Sequence, residues 1–155
     1  MHYKKLIGLL MISTLSLTAC IGQDPTTLEK ESPFNDLPSE FPKQGAAVRI
    51  SSEQETYSLP IEQIQLVIEN TGSKEIGFSA AIYLEKLEED DWYQIPYKKI
   101  GFTDAEIGIA VGETYMDEVP IDMLHYQLQK GTYRIMKSFH TESEQKILAA
   151  EFVIE

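Results

Sequence analysis

The sequence predicts an all-β fold, a β-sandwich over residues 45–155, with a signal peptide over 1–19 and a flexible linker over 20–44 ahead of it. Two observations predict the sandwich. From Gly45 onward apolar residues recur at every second position, the repeat of a half-buried strand. Turn-forming clusters interrupt that repeat roughly every ten residues, which gives about seven short strands. A third observation sets the leader apart: a basic start and an uncharged apolar run that ends in small residues.

The leader comes first. His2, Lys4 and Lys5 form a short basic start, and Leu6 to Leu17 carries no charge. Such a run is too short to span a hydrocarbon core, which needs roughly 20 apolar residues. The tetrapeptide Leu17-Thr18-Ala19-Cys20 resembles the bacterial lipobox. That resemblance implies cleavage before Cys20, a diacylglyceryl group on its sulfur, and attachment to the extracytoplasmic face of the cell membrane. Two acyl chains give stable anchoring where one gives marginal residence. Cys20 is the only cysteine, so no disulfide can form within the chain, and lipidation accounts for its presence.

The two lysines of residues 1–19 are the only Asp, Glu, Lys or Arg side chains there. Cleavage would leave 136 residues with 11 basic and 25 acidic side chains, a formal charge of −14. A surface so acidic opposes nucleic acid and anionic headgroups, so the lipid alone would hold the protein at the membrane. In the linker, Pro25, Pro33, Pro38 and Pro42 recur among polar residues without strand or helix periodicity. Fully extended at about 3.3 Å per residue, it would reach on the order of 80 Å. Phe34, Leu37 and Phe41 are its exceptions; they either dock on the domain edge or are scattered apolar residues.

The strands follow in order. Ile64, Leu66 and Ile68 alternate with polar residues, and Asn70-Thr71-Gly72-Ser73 reads as a turn. Ile76, Phe78, Ala80, Ile82 and Leu84 make a longer alternating series. Glu88-Glu89-Asp90-Asp91 reads as a hairpin tip, with Trp92 to Ile95 returning and Pro96 stopping the strand. Thr114 to Val119 follows Gly112-Glu113. Tyr133, Ile135 and Phe139 share one face of a strand that begins after Lys130-Gly131, and Ile147 to Ile154 closes the chain. Asp122–Gln129 is the one stretch with helical character.

Tyr133 lies two residues before Ile135, the spacing of a tyrosine corner. Its hydroxyl is expected to bond backbone around Leu128 to Lys130, with Ile135 and Leu66 in opposite sheets. Leu59-Pro60-Ile61, Ile68-Glu69-Asn70, Leu84-Glu85, Trp92-Tyr93-Gln94-Ile95-Pro96 and Gly131-Thr132-Tyr133-Arg134-Ile135 together resemble a bacterial immunoglobulin-like domain found in Gram-positive lipoproteins and other surface proteins. The resemblance implies an extracytoplasmic immunoglobulin-like sandwich and transfers no catalytic residue.

The chemistry points the same way. His125 and His140 are accompanied by no nucleophile motif, and no His or Cys pair has zinc spacing. No catalytic residue, metal or cofactor is expected. The 88–91 tip lacks the alternating Asp pattern of a calcium loop. Trp92 is expected to pack across a sheet, whereas Tyr93 and Tyr97 are candidates for an exposed contact with a protein partner or cell-envelope ligand. A non-catalytic interaction module is the expected role. The alternative is an extracellular protease inhibitor that inserts the 97–108 loop into a protease cleft.

Overall fold

The computed structural model describes residues 26–42, 45–98, 105–140 and 145–155. The leader and Cys20 lie outside the described residues. Ten strands are seen among those described: β1 (Glu40–Pro42), β2 (Ala47–Ser52), β3 (Thr56–Tyr57), β4 (Gln65–Asn70), β5 (Ile76–Glu88), β6 (Asp91–Gln94), β7 (Glu106–Ile109), β8 (Thr114–Glu118), β9 (Gly131–His140) and β10 (Gln145–Ile154). Three of them, β1, β3 and β7, are short segments that period-two reading did not separate from loops. Asp122–Gln129 does not form a longer helix: a single 3₁₀ turn, Ile121–Met123, occupies its start.

The strands form two sheets. One has the order β1-β2-β4-β8; the other has the order β3-β10-β9-β5-β6, with β7 beside β5. The far edge of β5 is shared, β7 pairing with Ile76–Ser79 and β6 with Glu85–Glu88. Alternation sets what lies between the sheets. Val48, Ile50, Leu66 and Ile68 come from one sheet; Phe78, Leu84, Tyr133, Ile135, Leu148 and Phe152 come from the other. Leu66 and Ile135, on opposite sheets, are both fully buried.

Two local devices fix the ends of this core. Asn70 is buried, and its side-chain amide donates to the carbonyls of Lys74 and Ile109 while Oδ1 accepts from Gly72 N–H at 3.0 Å. One side chain thus shapes the β4–β5 turn and ties β7 to it. At Gly72 an added Cβ would lie 2.5 Å from the Ala47 nitrogen, so only glycine fits the turn against β2. At the other end, Tyr133 Oη donates to Gln129 O at 2.6 Å and accepts from Gln129 N–H at 3.0 Å. Its ring stacks on Phe152 at a centroid distance of 5.6 Å.

Tyr133→Phe keeps the ring and leaves both Gln129 groups without this partner. The expected cost is about 1–3 kcal/mol in urea unfolding; a change within 0.3 kcal/mol (about the error of such a measurement) refutes a structural role for the hydroxyl. Burial raises the Tyr133 hydroxyl above its usual value of 10.0, against the opposing Gln129 bond, and burial does the same at Tyr97. The unfolded chain therefore ionises first. Stability from these groups is flat below about pH 10 and falls above it. Alkaline difference spectroscopy that shows all tyrosines titrating together near pH 10 in the folded protein would contradict this.

Residues 26–42 differ from the expected free linker. Lys30 O accepts from Gln94 N–H at 2.8 Å and Trp92 O from Ser32 N–H at 2.7 Å, so the segment pairs with the β6 edge through a Glu31–Tyr93 bridge. It then crosses the six-stranded sheet. Pro38 O accepts from Ala149 N–H of β10 at 3.0 Å, and β1 joins β2 in the other sheet. The cause is pairing: the β6 and β10 edges offer unpaired backbone groups, and this strap satisfies them. Its composition, Pro-rich and polar, carries no strand period to announce it.

Candidate functional site

The strap and the sheet under it enclose the most polar buried constellation among the described residues. Along β9, Arg134 and Met136 point away from the inter-sheet core, as do Tyr83 and Glu85 of β5 and Gln94 of β6; the registers Glu85–Arg134, Tyr83–Met136 and Glu85–Gln94 place them side by side. A strand face of this kind normally meets water. Here the strap covers it, and Arg134 and Glu85 are 1% and 0% exposed.

Arg134 organises the layer. Nε donates to Glu85 Oε2 at 2.8 Å, Nη1 to Asn35 O at 2.8 Å, and Nη2 to Phe34 O at 2.7 Å and Ser32 Oγ at 3.3 Å. Nη2 also lies 2.7 Å from Glu85 Oε2. The guanidinium sits over the Trp92 ring, 4.2 Å from its centroid. A planar fork that meets carboxylate, backbone carbonyls and an aromatic face at once is a role that arginine fills and lysine does not.

Beside this ion pair the sheet carries a cavity of about 220 Å³, lined among others by Phe34, Tyr83, Glu85, Gln94, Met136 and Ile147. Glu85 Oε2 is committed to Arg134, while Glu85 Oε1 is buried and has no hydrogen-bond partner. The cavity therefore combines an apolar lining with one buried acceptor. Chemically it can hold a small group; it offers no nucleophile paired with a base.

The sequence-predicted residues fall elsewhere. Tyr93 is half-buried on β6, pairs through its backbone with Glu31, and lines a shallow acidic depression with Glu88, Glu89 and Asp91. Tyr97 is half-buried against the core and bridges to Leu124; burial first, then the nearby Tyr83 and Asp117, raises its hydroxyl above the usual range. The two do not form one exposed contact patch, because the strap covers one and the core takes up the other. Trp92 does not pack across the sheets. Its register opposite Leu87 turns it to the outer face, under Arg134.

His125 is exposed and His140 half-buried at the end of β9. Glu88 is engaged by Lys86 across the hairpin tip. Among the described residues no group of three or more His, Cys, Asp or Glu is arranged to hold a metal ion. Residues 99–104 of the 97–108 loop, assigned to a protease cleft in the inhibitor reading, lie outside the described residues.

Sequence reasoning missed Arg134 and Glu85 because alternation assigns charged residues in a strand to solvent. The signal for them was in the linker: Phe34, an aromatic residue with no strand of its own, marks the segment that covers them.

Residues 44–153 match a family model described as a bacterial Ig-like domain. No curated protein matches the chain. Among solved structures, a β-glucosidase from Erythrobacter marinus is similar over 71% of this chain and 16% of its own length, at 11% identity and a TM-score of 0.34. The chain thus spans about a sixth of that enzyme, and a likeness at that level carries no argument about activity.

Proposed function

Because the chain belongs to the bacterial Ig-like domain family, we propose that it is an extracytoplasmic lipoprotein, anchored through Cys20, whose Ig-like domain is a non-catalytic module that binds a protein or cell-envelope ligand. The observation that carries the anchoring is Leu17-Thr18-Ala19-Cys20 after a basic start and an uncharged apolar run. The family and the sandwich support the interaction role; neither brings a catalytic set.

The strap changes what such an anchor would do. Its first backbone bond to the domain is at Lys30. Only residues 20–29 would remain as a leash, at most about 35 Å when extended, against about 80 Å for a free linker. The domain would sit close above the bilayer and not at the end of a long stalk. Its net negative charge would keep it from lying on anionic headgroups.

Cys20→Ala tests the anchor. The variant is expected to leave the membrane fraction or to accumulate with residues 1–19 uncleaved, and to incorporate no labelled fatty acid. A variant that is processed and membrane-bound like the parent overturns the assignment.

A further inference from the structure

From the cavity beneath the strap we infer a binding site for a small phenol, a single aromatic ring that carries one hydroxyl donor. This goes beyond the anchoring reading and does not depend on it. Three observations determine the ligand.

The first is size. A cavity of about 220 Å³ is smaller than the roughly 300–1,000 Å³ of pockets for drug-sized ligands. It is larger than the roughly 150 Å³ of an apolar cavity that takes up benzene. One ring with one or two small substituents is the group that fits. The second is lining. Phe34, Tyr83, Met136 and Ile147 present aromatic edges, a thioether and an aliphatic side chain. Aromatic pairs and sulfur–ring contacts favour a ring over an aliphatic chain of equal volume.

The third is the buried acceptor. Glu85 Oε1 is shielded from solvent and unpartnered, while Oε2 is held by Arg134. A buried acceptor without a donor costs free energy, so a ligand that supplies one is favoured over a ring that does not. The Glu85–Arg134 pair is already neutral overall, so a cationic ligand would bring an uncompensated charge into the layer. A neutral hydroxyl meets the requirement, and hydroxyl-to-carboxylate bonds are among the short, strong ones. Tyr83, 47% exposed, stands at the cavity's solvent side. Phe34 belongs to the strap that Arg134 fixes, so the site exists only while the strap is docked.

The test is a titration of the full-length chain followed by amide NMR, with p-cresol against 4-methylanisole, the same ring with its donor blocked. The expected result is saturable binding of p-cresol at about millimolar concentration, with shifts centred on residues 83–85 and 136–138. The affinity for p-cresol should exceed that for 4-methylanisole by at least about tenfold, the ratio that a hydrogen bond to a charged acceptor gives. Equal affinity for the two ligands, shifts centred elsewhere, or no saturable shift overturns the site. Ile147→Trp should fill the cavity and abolish p-cresol binding while the remaining amide spectrum stays dispersed. A folded Ile147→Trp that binds as the parent does overturns it equally. A tyrosine side chain presents the same ring and donor, so N-acetyltyrosinamide forms a second arm. Binding as tight as p-cresol assigns the site to tyrosine on a partner chain. At least tenfold weaker binding, with p-cresol still bound, assigns it to a free phenol.

Discussion

Arg134→Met is expected to cost about 3–5 kcal/mol, the loss that follows when one member of a buried ion pair is removed and the other stays behind. Glu85 would then sit buried with neither oxygen bonded, and the Phe34 and Asn35 carbonyls would lose the donors that hold them to the sheet. Two measurements separate these effects. Urea unfolding reads the global loss. Limited proteolysis reads the strap, which should be cut within 26–39 while β2–β10 stay protected. The pair Glu85→Leu with Arg134→Met removes both charges, so it should regain most of the stability and still leave the strap open to cleavage. A single variant within 1 kcal/mol of the parent (about a third of the smallest expected loss), or a strap as resistant as before, contradicts the role given to Arg134.

The second large effect lies on the other face of the same strand. Lys137 points between the sheets with no exposed surface, beside the Phe78 ring. Its ammonium donates to Asp117 of β8 in the opposite sheet and to Ala80 O at 3.3 Å. The Ala80 carbonyl is available because the β5–β9 register shifts between Phe78 and Ile82. Asp117→Ala would leave this ammonium buried without its counter-charge, at an expected cost of about 3–5 kcal/mol at neutral pH. Lys137→Met in that background should recover most of the loss, since an apolar chain of similar length suits the site.

The pH dependence has a definite sign. Burial lowers the Lys137 ammonium below its ordinary value of 10.5, and Asp117 opposes that shift. Between the folded and unfolded values the unfolded chain holds more protons, so this group's contribution to stability rises with pH across that window, up to 10.5. Without Asp117 the folded value drops further and the window widens downward. The deficit of Asp117→Ala relative to the parent should therefore shrink between pH 7 and pH 9.5. A deficit that is constant or grows over this range refutes an ionised Lys137 at neutral pH.

Sequence alone determined the elements whose side chains obey period two. Leu66, Ile68, Leu84, Ile135 and Phe152 announced the inter-sheet core, and Asn70 to Ser73 and Glu88 to Asp91 announced their turns, because each follows from local pattern and turn chemistry. Tyr133 announced its own bond, since donor and acceptor lie four residues apart. Lys137 was visible as a break, a lysine on the face that carries Tyr133, Ile135 and Phe139; the residue that answers it, Asp117, is twenty positions away and in the other sheet. The tertiary structure decided the rest. Arg134 meets Ser32 across 102 positions, and such a pairing leaves no mark in local periodicity. For the same reason Pro-rich residues 26–42 became a strap instead of a free linker, Trp92 turned outward, and Glu85 and Arg134 came to lie beneath a cover. A strand's pattern specifies which side chains share a face; what covers that face is set by chain that folds back from elsewhere.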